Sequence, residues 1–228
     1  MRSALSRFNS SISRIRDVAD ELDNDLPNAL ADSFVLERHE TTRCAATVIL
    51  SGYWETFLKE LAEEFICEAC KLNRPFGSLP VKMRHTHYER GGAVLSRRAQ
   101  DERAGRNSRI LASSSDIASR LASVSSIPYD LVWEAFADTF ANPDDETVSE
   151  YLKRFGISKA WDEIESRVHY ATVLRTQLKS FVALRHECAH TGSAATIPTT
   201  VEIREFCDML ATLAEGIVRV LENYLQML

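Results

Sequence analysis

The sequence predicts an all-α protein, an up-and-down helical bundle that occupies residues 1–228 as a single domain. Three observations indicate this fold class. Only 8 of the 228 residues are Gly and 6 are Pro, and Ala, Leu, Glu and Arg, which favour helices, are abundant. Apolar residues recur every three or four positions along most of the chain. No stretch of useful length alternates between apolar and polar residues, as a half-buried strand would.

The apolar spacing predicts two helices in the first third of the chain. Residues 4–26 form an amphipathic pattern that we expect Pro27 to end. A longer pattern over residues 32–73 has a broad apolar face, and it should end before Pro75 because the residue preceding a proline resists helical dihedrals. Within this second helix, Tyr53 and Trp54 are predicted to lie in the core rather than on a binding surface.

Helix breakers concentrate after residue 73, where Pro75, Gly77, Pro80, Gly91 and Gly92 follow one another closely. We therefore predict an insertion at about residues 74–109, part loop and part short helix. Helices are expected to resume at 110–124, 128–140 and 146–155. A long helix over 161–189 follows, and the last one should begin near 198–202 with a capping box.

The charges are unevenly distributed, and this bears on the choice of partner. The formal net charge is −6, whereas the segment 82–109 has eight basic and three acidic residues, a local net of +5 that leaves −11 for the remainder. Such a segment can attract a polyanion to one face, although a solvated loop explains it equally well. If it binds substrate, we expect Lys82, Arg84, Arg97 and Arg98 to make the contacts.

Cysteine usage and hydropathy indicate a soluble, cytoplasmic protein. Five cysteines, an odd number, lie among apolar neighbours, as is typical of reduced buried thiols. No apolar run approaches the roughly 20 residues that span a membrane, and the first 25 residues lack the core of a signal peptide. No Gly-rich phosphate loop is present, and no cofactor is predicted.

The segment 185–190, Arg-His-Glu-Cys-Ala-His, contains the candidate catalytic residues Arg185, His186 and His190. Arg185 occupies a position of the apolar stripe of its helix where Leu or Val is expected, so its charge needs an anionic partner or ligand. In an unbroken helix Arg185 and His190 point about 140° apart. They converge on one ligand only if the helix loosens near His190 or if a second copy of the chain supplies one of them. An ion-paired arginine and a helix-end histidine would also explain these residues.

Two metal sites are weaker alternatives. His186, Glu187 and His190 match the H-E-x-x-H pattern of zinc metallopeptidases, with Glu202 or Glu205 as a possible third ligand. Against this, the helix should break directly after His190, and no strand is predicted to hold a peptide substrate. The pair Cys67 and Cys70, followed by histidines at 85 and 87, only approaches the spacing of a zinc finger.

The motif Arg185-His186-x-x-x-His190, followed by Thr191-Gly192 and a capped terminal helix, resembles that of the HEPN superfamily. The segment 51–58 is similar to the first core helix of prokaryotic HEPN proteins. The Asn142-Pro143 turn, the segment 155–157 and Trp161 resemble the RiboL-PSP-HEPN type. The resemblance covers about residues 42–225. It departs from many relatives at His186, where an asparagine is common.

This resemblance implies a metal-independent endoribonuclease that works as a homodimer with the two motifs facing each other. His190 would transfer protons, Arg185 would bind the phosphate, and His186 would position the phosphate or assist proton transfer. The products would be a 2′,3′-cyclic phosphate and a 5′-hydroxyl. It further implies a toxin or defence effector, with RNA as the substrate and an antitoxin protein as a possible partner. A HEPN-fold scaffold that binds RNA or protein without cleavage remains the alternative.

Overall fold

The computed structural model describes residues 1–106, 112–138, 142–168, 171–191 and 197–228, with the backbone alone at 171, 172 and 191. Every regular element in these ranges is helical, which confirms the all-α prediction. None of the helices in the described ranges combines the length and the hydropathy of a membrane-spanning segment.

Four long helices form an antiparallel bundle: α1 (Arg2–Asn24), α3 (Ser33–Lys71), α9 (Ala171–Thr191) and α10 (Thr200–Met227). Ion pairs between α1 and α10 show their opposite directions, because Arg2 pairs with Glu222 at 2.7 Å and Arg16 with Asp208 at 2.5 Å. Helix α3 likewise runs against α9, since Cys44 near its start packs against Cys188 near the end of α9. The predicted up-and-down arrangement is therefore present.

Apolar side chains at helical spacing fill the centre of the bundle, as the sequence pattern predicts. Trp54 is fully buried, and its ring centroid lies 5.8 Å from that of Phe8 and 5.5 Å from that of Phe57. Its indole N–H donates to the Pro143 carbonyl oxygen at 3.1 Å. The polar atom of the largest core side chain is thus satisfied, and the bond attaches the segment around Pro143 to α3.

The first helix ends where expected, but Pro27 does not end it. Helix α1 stops at Asn24, and Pro27 lies in the first turn of a short helix, α2 (Leu26–Ala31). Proline fits there because the first-turn N–H has no intrahelical acceptor to lose. Asp32 caps α3 by accepting from the Phe34 N–H at 2.8 Å.

The segment 74–109 contains more helix than the density of breakers predicts. Residues 72–80 form a connection with a 3₁₀ turn at Phe76–Ser78, and α4 (Val81–Arg103) then runs without a break through Gly91 and Gly92. Residues 104–106, the last ones described before 112, lie beyond the end of the helix. Gly91 is buried, and a Cβ there would lie 2.9 Å from Leu121 Cδ2. One glycine therefore allows close packing against the next helix, α5 (Ser114–Ala122).

The predicted helix over 128–140 is largely wrong. An Ile127-Pro128 cis peptide begins an irregular segment, and only α6 (Glu134–Ala137) is helical there, while residues 139–140 lie outside the described part. The helix predicted over 110–124 begins at Ser114, with residues 107–111 also outside that part. The helix predicted over 146–155 is confirmed as α7 (Asp145–Arg154). It ends before Gly156, whose φ of 102° suits glycine.

The helix predicted over 161–189 is two helices, α8 (Ala160–Glu165) and α9 (Ala171–Thr191). Residues 166–168 turn between them, and 169–170 lie outside the described residues. Gly216 of α10 permits this turn to approach closely, because a Cβ there would lie 2.7 Å from Val168 Cγ2. The apolar spacing continues across the break, so periodicity alone does not reveal it.

Candidate active site

Packing against α3 and α10 fixes the end of α9 that carries the candidate motif. Phe181 is fully buried, and its ring centroid lies 5.1 Å from that of Phe206 in α10. One and two turns later, Leu184 and Cys188 join a small apolar cluster with Cys44, Val48 and Ile197. The C-terminal part of α9 is therefore held in place by packing on one face, and its other face is open to solvent.

His186 and His190 lie on the open face of α9. Both side chains are exposed, and their ring centroids are 4.2 Å apart. Residues four apart share a helix face, so this contact follows from an unbroken turn. The structure brings these two candidate residues together within one chain.

Arg185 and His190 lie on different sides of the regular helix α9. Helix α9 remains helical through His190 to Thr191, so the loosening near His190 that one chain would need for convergence is absent. At 100° per residue, Arg185 and His190 diverge by about 140°. The glycine expected to end the helix, Gly192, lies outside the described residues.

The environment of Arg185 is unusual for a cation. The residue is half-buried, and its Nε atom is buried without a hydrogen-bond partner among the described residues. A buried guanidinium donor without an acceptor costs free energy unless an anion is bound. Arg185 is thus a cation whose hydrogen-bonding capacity is not filled within the described chain.

Arg43 is a residue that the sequence motif does not include. It precedes Cys44 in α3, and its Nε atom is likewise buried without a hydrogen-bond partner among the described residues. The pKa of Asp23 is lowered, first by the hydrogen bond from Thr200, then by the hydrogen bond and charge of Arg204, and least by the charge of Arg43. The sequence could have indicated Arg43 in the same way as Arg185, because both arginines occupy apolar-stripe positions. Arg43 stands two helical turns, seven residues, before the buried Leu50.

Cys188, inside the motif, is unsuited to nucleophilic chemistry. Burial, followed by contact with the Cys44 thiol, raises its pKa to about 12. The thiolate is the reactive form of cysteine, and it is scarce at neutral pH under these conditions. Cys188 therefore contributes packing between α9 and α3.

A metallopeptidase site would need a third ligand beside the two histidines. Glu202 closes the capping box of α10, where its Oε2 accepts from the Thr199 N–H at 2.8 Å and from the Thr199 hydroxyl at 2.9 Å. Among the described residues, no three His, Cys, Asp or Glu side chains, Glu205 included, form a group that could hold a metal ion.

The Cys67–Cys70 segment makes contacts suited to packing. Cys70 Sγ accepts from the Leu131 N–H at 3.4 Å, and burial raises the pKa of its thiol to about 11. His87 is fully buried, with Nδ1 accepting from the Val132 N–H at 3.2 Å. These contacts join α4, the segment before α6 and the end of α3.

The four basic residues predicted to bind substrate have different surroundings in α4. Lys82 is exposed, and Arg84 Nε donates to the Leu79 carbonyl oxygen at 3.1 Å. Arg97 forms a bidentate pair with Asp138 at 2.6 and 3.1 Å. Arg98 is buried, with Nε donating to the Ala112 carbonyl oxygen at 3.0 Å. Their contact with substrate stays a prediction, and Arg97 and Arg98 already hold partners within the chain.

The basic helix α4 is far from the motif of the same chain. Cys188 packs on Cys44, whereas the segment bonded to α4 contacts Cys70 at the other end of α3. The 26 residue-to-residue steps from Cys44 to Cys70 in this helix correspond to about 39 Å at 1.5 Å per step. Pro80, which precedes α4, lies by Gly156 and Tyr224 at the far end of α10. The two features thus occupy opposite ends of the bundle.

The chain matches one family of known proteins. The sequence model of the RiboL-PSP-HEPN family matches residues 8–223. This span includes all of α3 and α9, most of α1 and α10, and the whole 185–190 motif. The comparisons with curated proteins and with solved structures gave no match.

Proposed function

The chain belongs to the RiboL-PSP-HEPN family, and on this premise we propose that it is a metal-independent endoribonuclease whose catalytic residues are Arg185, His186 and His190. HEPN-type domains are RNA-related and often dimeric. The observation that carries the proposal is the end of α9. There an arginine with an unfilled donor and two exposed, touching histidines stand on one rigid helix.

These residue types match the requirements of RNA cleavage by internal attack. His190 accepts the proton of the 2′-hydroxyl, the 2′-oxygen bonds to phosphorus, and the bond to the 5′-oxygen breaks. The leaving 5′-oxygen takes a proton from an acid, a role open to a protonated histidine of the site. Arg185 offers a planar fork of donors to the phosphate oxygens as charge develops. The products are a 2′,3′-cyclic phosphate and a 5′-hydroxyl.

The direction of Arg185 supports a site shared between two chains. Because α9 is continuous, its arginine and His190 face about 140° apart. Two copies that meet at this end of the bundle would place the Arg185 of one beside the His190 of the other. A two-fold interface presents the same surface on both chains, so such a dimer contains two equivalent sites.

Incubation of the purified protein with total RNA in EDTA tests the activity. We expect cleavage by the wild type, products with 2′,3′-cyclic phosphate ends, and loss of cleavage in His190→Ala. His85→Ala is the matched control, since His85 is also exposed but lies on α4. RNA binding without cleavage would favour the scaffold alternative. Peptide-bond cleavage that requires zinc would overturn the proposal in favour of a metallopeptidase.

A mixing experiment tests the shared site. Arg185→Ala and His190→Ala should each be inactive alone, but a mixed dimer retains one complete site. After exchange of subunits, half of the dimers are mixed and each has one of two sites, so activity should return to about a quarter of wild type. No recovery, despite proven exchange, would show that each chain supplies both residues of one site.

The cellular role follows from uncontrolled RNA cleavage. An active enzyme of this kind would act as a toxin or defence effector in the cytoplasm, restrained by an antitoxin protein or another partner. Induced expression of the wild type should therefore arrest growth, and His190→Ala should not. Equal growth with both proteins at matched levels would contradict this role.

A further inference from the structure

The two histidines of the H-E-x-x-H pattern, His186 and His190, have a spacing and a contact that the proposed RNA chemistry does not by itself require. We propose that His186 and His190 of one chain together bind a divalent transition-metal ion of the Zn²⁺ and Cu²⁺ type, and that the bound ion inhibits RNA cleavage. Metal binding depends only on the two side chains, whereas inhibition rests on the proposed function.

The geometry of the pair suits chelation. Both imidazoles are exposed, and their ring centroids lie 4.2 Å apart on a regular turn of α9. With metal–nitrogen bonds of about 2.0–2.1 Å and tetrahedral angles, two imidazoles on one ion have centroids about 5 Å apart. An increase of this size requires only small side-chain rotations, and solvent on this face leaves room for them.

The number of ligands determines what kind of metal site this is. Structural zinc sites have four protein ligands and catalytic ones have three, whereas the described residues offer no group of three potential ligands. Water would complete the coordination of an ion held by two histidines. Such a site is readily reversible and does not hold the fold together, so it fits a regulatory ion rather than a permanent one.

Inhibition is expected because the metal ion and the substrate proton compete for the same lone pair on the histidine nitrogen. A histidine binds a metal through the same nitrogen lone pair that would accept the proton of the 2′-hydroxyl. An ion on the pair therefore occupies the lone pair of the base, His190, and that of His186 at the same time. Imidazole prefers Zn²⁺, Ni²⁺ and Cu²⁺, while Mg²⁺ prefers oxygen ligands, so Mg²⁺ should leave the site free for RNA.

Equilibrium dialysis against zinc sulfate measures the binding directly. His186→Ala and His190→Ala should each weaken the site at least tenfold, because one ligand of the chelate is lost. His85→Ala should bind as the wild type does. Cys67→Ser controls for binding to an exposed thiol. His186→Asn also removes the imidazole ligand but keeps a polar side chain, so it should weaken Zn²⁺ binding as His186→Ala does. Circular dichroism confirms that each variant is folded.

The activity assay then tests inhibition on the wild-type protein. Zn²⁺ should abolish RNA cleavage at concentrations that fill the dialysis site, EDTA should restore it, and Mg²⁺ should have no inhibitory effect. Equal Zn²⁺ binding by the His186→Ala, His190→Ala double variant and the wild type would overturn the site. Binding at the pair without loss of cleavage would overturn the inhibition. Histidine-dependent binding by a protein that never cleaves RNA would reject the proposed function and leave the metal site standing.

Discussion

Arg185 lies half-buried on the apolar stripe of α9. A cation on an apolar stripe is costly, and its buried Nε has no partner among the described residues. The proposed phosphate ligand supplies the missing acceptors. Arg43 in α3 has the same unfilled donor within the described part of the chain, so substitution of Arg43 should be tested beside that of the motif residues.

Substitution of Arg185 should separate charge from geometry. Arg185→Ala should lower the rate of RNA cleavage by about 10²–10³, the usual effect of losing a preorganised donor. Arg185→Lys keeps the charge but loses the planar fork, so its rate should fall between those of Arg185→Ala and the wild type. Arg175→Lys is a matched control on α9. Arg175 lies ten residues before Arg185 and forms an ion pair of 2.7 Å with Asp145, outside the motif. An unchanged rate in Arg185→Ala would exclude phosphate binding by this residue.

His87 should make folding stability depend on pH. Burial lowers its pKa from 6.5 to about 4, so the folded state favours the neutral ring. Its contribution is complete above pH 6.5 and is lost as the pH falls through 4, by at most about 3 kcal/mol. His87→Asn can still accept from the Val132 N–H but does not titrate. Urea unfolding between pH 7 and 4 should therefore show a smaller loss of stability in the variant than in the wild type.

At the scale of elements, α4 shows how tertiary contacts override a local signal. Its two adjacent glycines have different surroundings: Gly91 is buried against Leu121, whereas a Cβ added at Gly92 would meet no neighbouring atom within 4 Å. Glycine in a helix interior costs up to about 1 kcal/mol relative to alanine. This cost is offset at Gly91 because the close approach of α5 requires a residue without a Cβ, and nothing comparable constrains Gly92.

The two glycines form a matched pair of variants. Gly92→Ala should raise the free energy of unfolding by about 0.5–1 kcal/mol through helix propensity. Gly91→Ala has the same intrinsic gain, but its Cβ would meet Leu121 Cδ2 at 2.9 Å, so this protein should be the less stable of the two. Chemical denaturation of both variants measures the difference. The reverse order would mean that α5 moves away from α4 at little cost.

At the scale of the whole molecule, the separation of α4 from the motif restricts how one chain can use both. Lys82 is exposed at the start of α4, and α4 contacts the end of α3 opposite to Cys44, about 39 Å away along that helix. If α4 binds RNA, it holds a part of the substrate distant from the bond that is cleaved.

Substrate length tests this use of α4. Lys82→Ala should weaken binding and cleavage of long RNA, with a shallower dependence on salt because one phosphate contact is lost. It should leave cleavage of an RNA too short to reach both ends of the bundle unchanged. Arg97→Ala is a poor test, since it also removes the pair with Asp138. Equal effects on long and short RNA would contradict binding at a distance.

The sequence by itself determined the fold class, the order of the long helices and the candidate motif. Those features depend on local properties: three-and-four spacing predicted α1, α3 and α10, the Thr199–Glu202 capping box marked the start of α10, and an arginine on an apolar stripe indicated the candidate site. The tertiary structure decided the rest. It kept α4 helical through Gly91, divided 161–189 into α8 and α9, and brought Cys44 beside Cys188. These outcomes depend on contacts between residues far apart in the chain, which no local pattern contains.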